Sequence, residues 1–223
     1  MRFHALACGL LACVLATEVA AQSSSPAADL AQALQKKYGT IRDFSTDFVH
    51  TYKGGVLRKQ LTEKGRLLIK KPGKMRWMYT APEEKLFVSD GLKIYSYIPQ
   101  DKQVIVTSVP QDDTAGSPAL FLTGKGDLIR DFTASIGDVP KGSVPGTRAL
   151  KLVPRKPQQD YDWLVLLVDS TALTLRGMVT VDAQGGTSVF TFNNLKENVG
   201  INDKDFVFQM PRGVDVVTYA GGR

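Results

Sequence analysis

The side chains able to do covalent or metal chemistry are few and poorly spaced for it. Across 223 residues there are two cysteines, Cys8 and Cys13, and two histidines, His4 and His50. A zinc hydrolase needs three or more His, Cys or carboxylate ligands at set spacings. A Ser-His-Asp triad would have to use His50, and neither a G-x-S-x-G elbow nor an S-x-x-K motif is present. Gly124-Lys125-Gly126 is a fragment of neither a P-loop nor a dinucleotide fingerprint. Paired carboxylates remain open, because any two strands can bring Asp and Glu together. An enzyme is the weaker class, and no metal and no cofactor is expected.

Cys8, Cys13 and His4 also fall in a segment that reads as a secretory signal peptide. Arg2 and His4 give a short positive start, Ala5 to Ala16 form an apolar run of 12 residues, and Val19-Ala20-Ala21 offers a small-residue cleavage site. The run is too short to cross a bilayer. Leu10-Leu11-Ala12-Cys13 resembles a lipidation box, but the apolar run before it is short and Ala21 is the better cut. The expectation is a signal peptide over 1–21 and one domain over 22–223. The working chain would then hold no cysteine and one histidine, His50. That excludes a disulfide scaffold and suits a bacterial periplasm. No later apolar run approaches the ~20 residues of a membrane helix.

The net charge of +6 raises nucleic acid as a partner. Lys64, Arg66, Lys70, Lys71, Lys74 and Arg76 cluster, but they mostly alternate with apolar residues, as on the wet face of a strand pair. In an exported protein, anionic lipid or an acidic partner fits this charge better than nucleic acid.

The elements that must position these residues are mostly strands. Ser25-Pro26 caps a helix over 26–38, with Ala27, Leu30, Ala31, Leu34 and Tyr38 on one stripe and Gly39 at its end. Period-two alternation then predicts strands at 44–53, 59–70, 75–80, 84–89, 93–98, 103–108, 131–136, 147–154, 162–169, 173–182 and 187–195. Most show one apolar and one polar face, which predicts an antiparallel sheet wet on one side. Ser117 to Gly124 has a cap, a proline at the first helical position and a closing glycine, around consecutive Leu120, Phe121 and Leu122. This apolar turn must press into a greasy surface. A plug completing a closed core and a lid over a hydrophobic cup both fit. Asp127 to Arg130 adds a further possible turn.

Residues 65–97 carry a recognisable series: Gly65-Arg66-Leu67, Lys71-Pro72-Gly73-Lys74-Met75-Arg76-Trp77, Pro82, Val88-Ser89-Asp90-Gly91 and Tyr95-Ser96-Tyr97. With the ending Phe206-Val207-Phe208-Gln209-Met210-Pro211-Arg212-Gly213-Val214-Asp215-Val216, the chain resembles the LolA family of periplasmic lipoprotein carriers. The resemblance implies a mainly β fold: an open, incomplete antiparallel β-barrel, of about eleven strands by the alternation above, whose short helical lid encloses a hydrophobic cavity. It implies a monomeric carrier of triacylated lipoproteins. These would be taken from an inner-membrane ABC transporter and passed to an outer-membrane receptor. The acyl chains would occupy a cup lined by Phe44, Phe48, Leu67, Ile69, Met75, Trp77, Tyr79, Leu86, Val88, Ile94, Leu120, Phe121 and Leu122. Lys71 would be the basic latch on the lid; it and Met75 stand where well-studied members often carry Arg and Phe. Carriage of another lipid, and a lipid-sensing regulator of envelope stress, are the alternatives on the same fold. An enzyme using a carboxylate or His50 inside the cup is the third.

Overall fold

A computed structural model describes residues 25–54, 60–109, 121–158 and 161–219. The expected signal peptide, residues 1–21, and Leu120 lie outside them. Helix α1 (Pro26–Gly39) starts where the cap predicts, with the Ser25 hydroxyl accepting from the Ala28 N–H at 3.2 Å. Its stripe of Ala27, Leu30, Ala31, Leu34 and Tyr38 is buried.

All eleven expected strands form: β1 (Asp43–Lys53), β2 (Gln60–Lys70), β3 (Lys74–Ala81), β4 (Lys85–Asp90), β5 (Lys93–Ile98), β6 (Gln103–Ser108), β7 (Phe132–Ile136), β8 (Thr147–Pro154), β9 (Trp163–Asp169), β10 (Leu175–Val181) and β11 (Thr187–Glu197). A twelfth, β12 (Asp215–Tyr219), joins them. One sheet runs β12-β6-β5-β4-β3-β2-β1-β11-β10-β9-β8-β7, so β7 and β12 are its edges and it does not close.

β12 corrects the wholly antiparallel expectation, because it pairs parallel to β6. The cause is the route of the chain: a parallel neighbour needs a crossover, not a hairpin. After β11 the chain crosses the outer face of the sheet. Asp203 pairs with Lys70 at 2.8 Å and Lys74 at 3.0 Å, Arg76 donates to the Asp205 carbonyl, and Phe208 stacks on Tyr95 with ring centroids 5.0 Å apart. The outer face of β2–β5 is therefore not simply wet. It lies under a C-terminal strap, and three of the basic cluster's side chains hold that strap.

The other face is concave. Trp77 on β3 and Phe190 on β11 meet with centroids 5.4 Å apart, although β2 and β1 lie between their strands. At about 4.8 Å per strand, a flat sheet would hold those backbones about 14 Å apart. The face must curl for the rings to touch. Helix α1 covers part of it at β7 and β8, packing Leu30 and Leu34 into the same core as Leu150, Leu152, Leu164 and Leu166.

Candidate functional site

Strand register decides which side chains share the concave face. Phe44 pairs with Ile69, Thr46 with Leu67, Phe48 with Gly65 and His50 with Glu63 across β1 and β2. Met75 pairs with Ile69, Trp77 with Leu67 and Tyr79 with Gly65 across β2 and β3. Of the expected cup residues, Phe44, Phe48, Leu67, Ile69, Met75, Trp77, Phe121 and Leu122 lie buried in one cluster, with Tyr79 and Ile94 partly buried against it.

Leu86 and Val88 do not join them. Opposite Met75, Trp77 and Tyr79, β4 presents Ser89, Phe87 and Lys85. Leu86 and Val88 therefore face outward with Met78 and Arg76. There Leu86 helps line a pocket with Val207 and Gln209 of the strap. The family resemblance puts them in the cup, whereas the register turns them to the outer face. Three concave-face rings escaped the sequence reading: Phe87, Phe190 and Phe192. The last two stand on β11 at the two-residue spacing that marks a shared face.

One end of this face is fastened through backbone groups. Lys71 Nζ donates to the Tyr38 carbonyl at 2.5 Å and lies 3.6 Å from the centre of the Tyr38 ring. Tyr38 donates its hydroxyl to the Leu122 carbonyl at 3.1 Å and stacks on Phe121 at 5.1 Å. The Gly73 N–H donates to the Thr123 carbonyl at 3.1 Å. Gly124 has φ +86°, and a Cβ there would stand 2.8 Å from Lys71 Cδ. Glycine is thus required both for the turn and for the lysine stem that lies on it. Burial holds the Lys71 ammonium down to about 8. Burial also pushes the Tyr38 phenol up. Lys71 thus ties α1 to the segment ending at Gly124.

The opposite end is fastened through side chains. Glu63 accepts from Lys85 Nζ at 2.6 Å and from His50 Nδ1 at 3.0 Å; His50 Nε2 lies 3.2 Å from the Ser188 hydroxyl. A carboxylate only accepts, so Nδ1 carries a proton, and in the neutral imidazole, the form that burial favours, Nε2 accepts from Ser188. The imidazole lies flat on Phe190, with centroids 4.1 Å apart and planes 2° apart. Burial pulls the His50 pKa down, against the opposing pull of Glu63. The chain Ser188–His50–Glu63–Lys85 spans β11, β1, β2 and β4, passing over Tyr79 of β3. The sequence signal was Glu63 on the apolar face of its strand; nothing local announced Lys85.

Among the described residues, no group of three or more His, Cys, Asp and Glu could hold a metal ion, and no helix is long and apolar enough to cross a membrane.

The family model for "Outer membrane lipoprotein carrier protein LolA" matches residues 39–209. An outer-membrane lipoprotein carrier protein of Bordetella avium is 30% identical over 203 residues, covering 89% of this chain and 94% of the relative. One of Chromohalobacter salexigens is 29% identical over 208 residues, covering 93% and 94%. Among solved structures, an uncharacterized conserved protein from Thermus thermophilus superposes with a TM-score of 0.50 at 13% identity, over 86% of this chain and 98% of that one. This last likeness concerns the fold alone.

Proposed function

Because this chain belongs to the LolA family of outer membrane lipoprotein carrier proteins, we propose that it ferries triacylated lipoproteins across the periplasm with their acyl chains against the concave face. It is a lipoprotein carrier, and its work is binding and release, with no bond made or broken. We assign the loading step to an inner-membrane ABC transporter and the unloading step to an outer-membrane receptor.

The observation that carries the reading is an apolar concave face fastened at one end by a releasable contact. Acyl chains bury at about 0.8 kcal/mol per CH₂, so three free chains cannot cross water uncovered. The aromatic rows Phe48, Trp77, Phe190 and Phe192 offer them a matching surface. Lys71 acts as the latch: its acceptor is a neutral carbonyl, so freeing it strands no buried carboxylate. Opening there lets Phe121 and Leu122 swing off the rings and chains take their place.

The test is release from spheroplasts. The processed chain, added to spheroplasts that synthesise a labelled outer-membrane lipoprotein, should carry it into the supernatant as a soluble complex. Folded protein that releases none defeats the reading.

A further inference from the structure

The concave face is graded in polarity along its length. At the latch end the inward rows are Phe44, Ile69 and Met75; in the middle, Phe48, Leu67, Trp77 and Phe192. At the far end polar side chains enter the rows, His50, Glu63, Tyr79, Lys85 and Ser188, with Phe190 still stacked against His50. Glu63 is 5% exposed, among aromatic neighbours. A buried ion pair adds little net stability, and apolar residues of like volume would fill the place as well. The far end therefore calls for a role beyond packing.

We propose that Ser188, His50, Glu63 and Lys85 form a subsite for the uncharged ester and amide linkage that joins acyl chains to a cargo's head, and that the Glu63 carboxylate turns phospholipid away. This rests on the carrier reading above.

The donors and charges support it. Lys85 spends one N–H on Glu63 and an ammonium has three, so two remain for carbonyl oxygens. Acyl chains lying on the aromatic rows bring their ester carbonyls to the polar rows. With His50 neutral, Lys85 and Glu63 cancel and the cluster carries no net charge. A neutral cluster solvates neutral carbonyls. A phosphate would bring an unbalanced negative charge to a poorly screened cluster whose one cation, Lys85, is already paired with Glu63. The acyl esters are the same in both lipids, but the third glycerol carbon beside them carries an uncharged thioether in a glyceride-modified cysteine and an anionic phosphodiester in a membrane phospholipid.

Competition against a fluorescent apolar dye tests this with three ligands: a synthetic triacylated lipopeptide, diacylglycerol and phosphatidylglycerol. The unaltered protein should bind the first two about tenfold more tightly than the third. Lys85→Met should weaken the lipopeptide and diacylglycerol about threefold to tenfold while dye binding holds. Glu63→Gln should raise phosphatidylglycerol by a similar factor relative to diacylglycerol. If either single variant fails to fold, the uncharged pair Glu63→Gln with Lys85→Met should abolish the discrimination. An unchanged ratio in Glu63→Gln or in the pair, with lipopeptide still bound, overturns the subsite and leaves the carrier standing. Dye binding without lipopeptide binding overturns both.

Discussion

Each end of the concave face is held by a lysine, and the two are held differently. Lys71 meets a neutral backbone carbonyl and a ring face; Lys85 meets a carboxylate that a histidine also contacts. A contact to backbone carbonyls is indifferent to the side chains of the segment it holds and leaves no buried carboxylate unpaired when it lets go. A chain of side chains across several strands depends on every member, because losing one leaves buried partners unsatisfied. The first arrangement suits opening and the second suits selecting. One sheet supports both because strand register carries the same inward rows from one end to the other.

Phe48 stands between the ends, and its loss should have the largest effect. The ring is 1% exposed and makes edge contacts with Trp77 at 5.2 Å and Tyr79 at 4.8 Å. Phe48→Ala should cost about 3–5 kcal/mol in denaturant unfolding. Latch and far end should loosen together, seen as lost amide protection at both. Protection lost at one end alone would mean that the two do not share a core.

Gly65 comes next. A Cβ there would lie 2.1 Å from the Met78 carbonyl oxygen and 2.6 Å from the Phe48 ring. The first obstacle is backbone, so no rotamer change relieves it. Gly65→Ala should lower stability by about 1–3 kcal/mol in thermal unfolding. An unchanged midpoint would mean that β3 shifts away freely, and that the concave face is far more yielding than its packing implies.

How much of this the sequence discloses depends on what each feature leans on. Alternation located β1 to β11 because each buries an apolar row, and Ser25-Pro26 located α1 because capping is local. β12 escaped because a short edge strand with both faces largely exposed has no alternation to read. Leu86 and Val88 stand on the outer face because of how β4 pairs with β3, and what Leu86 meets there is a strap more than a hundred residues downstream. The clasp of Lys71 on the Tyr38 carbonyl has no residue code for its acceptor, so only family resemblance pointed to it. Glu63 on an apolar row was visible, while its partner Lys85 depends on how β4 pairs across β3.

Lys71 gives the next smaller effect and ties the latch to pH. Its buried pKa, about 8, lies below the ordinary 10.5, so between those values the closed state binds fewer protons than the open one. Closure and stability should therefore rise as pH climbs from 8 toward 10.5, and at neutral pH the buried charge opposes closure. Unfolding midpoints at pH 7.5 and 9.5 should show the rise in the unaltered protein and lose it in Lys71→Met. A rise that persists in the variant would assign the titration to another group.

His50 gives the smallest effect and reports on the far end alone. Burial is the largest influence and lowers its pKa below 6.5, while the Glu63 hydrogen bond and charge push the other way and Lys85 lowers it slightly. A depressed histidine contributes stability above its unfolded pKa, and that contribution fades as pH falls through the folded value. Stability should thus decline on acidification below 6.5, with a slope from this one proton of at most about 1.4 kcal/mol per pH unit. His50→Gln should remove that part of the decline. Glu63→Gln deletes the influence that raises the pKa, so it should move the window to lower pH. Movement to higher pH would show that the carboxylate does not govern this imidazole, and the chain from Ser188 to Lys85 would lose its middle link. The two windows do not overlap: the far end titrates below 6.5 and the latch above 8. A single pH series on one sample therefore reads each end without disturbing the other.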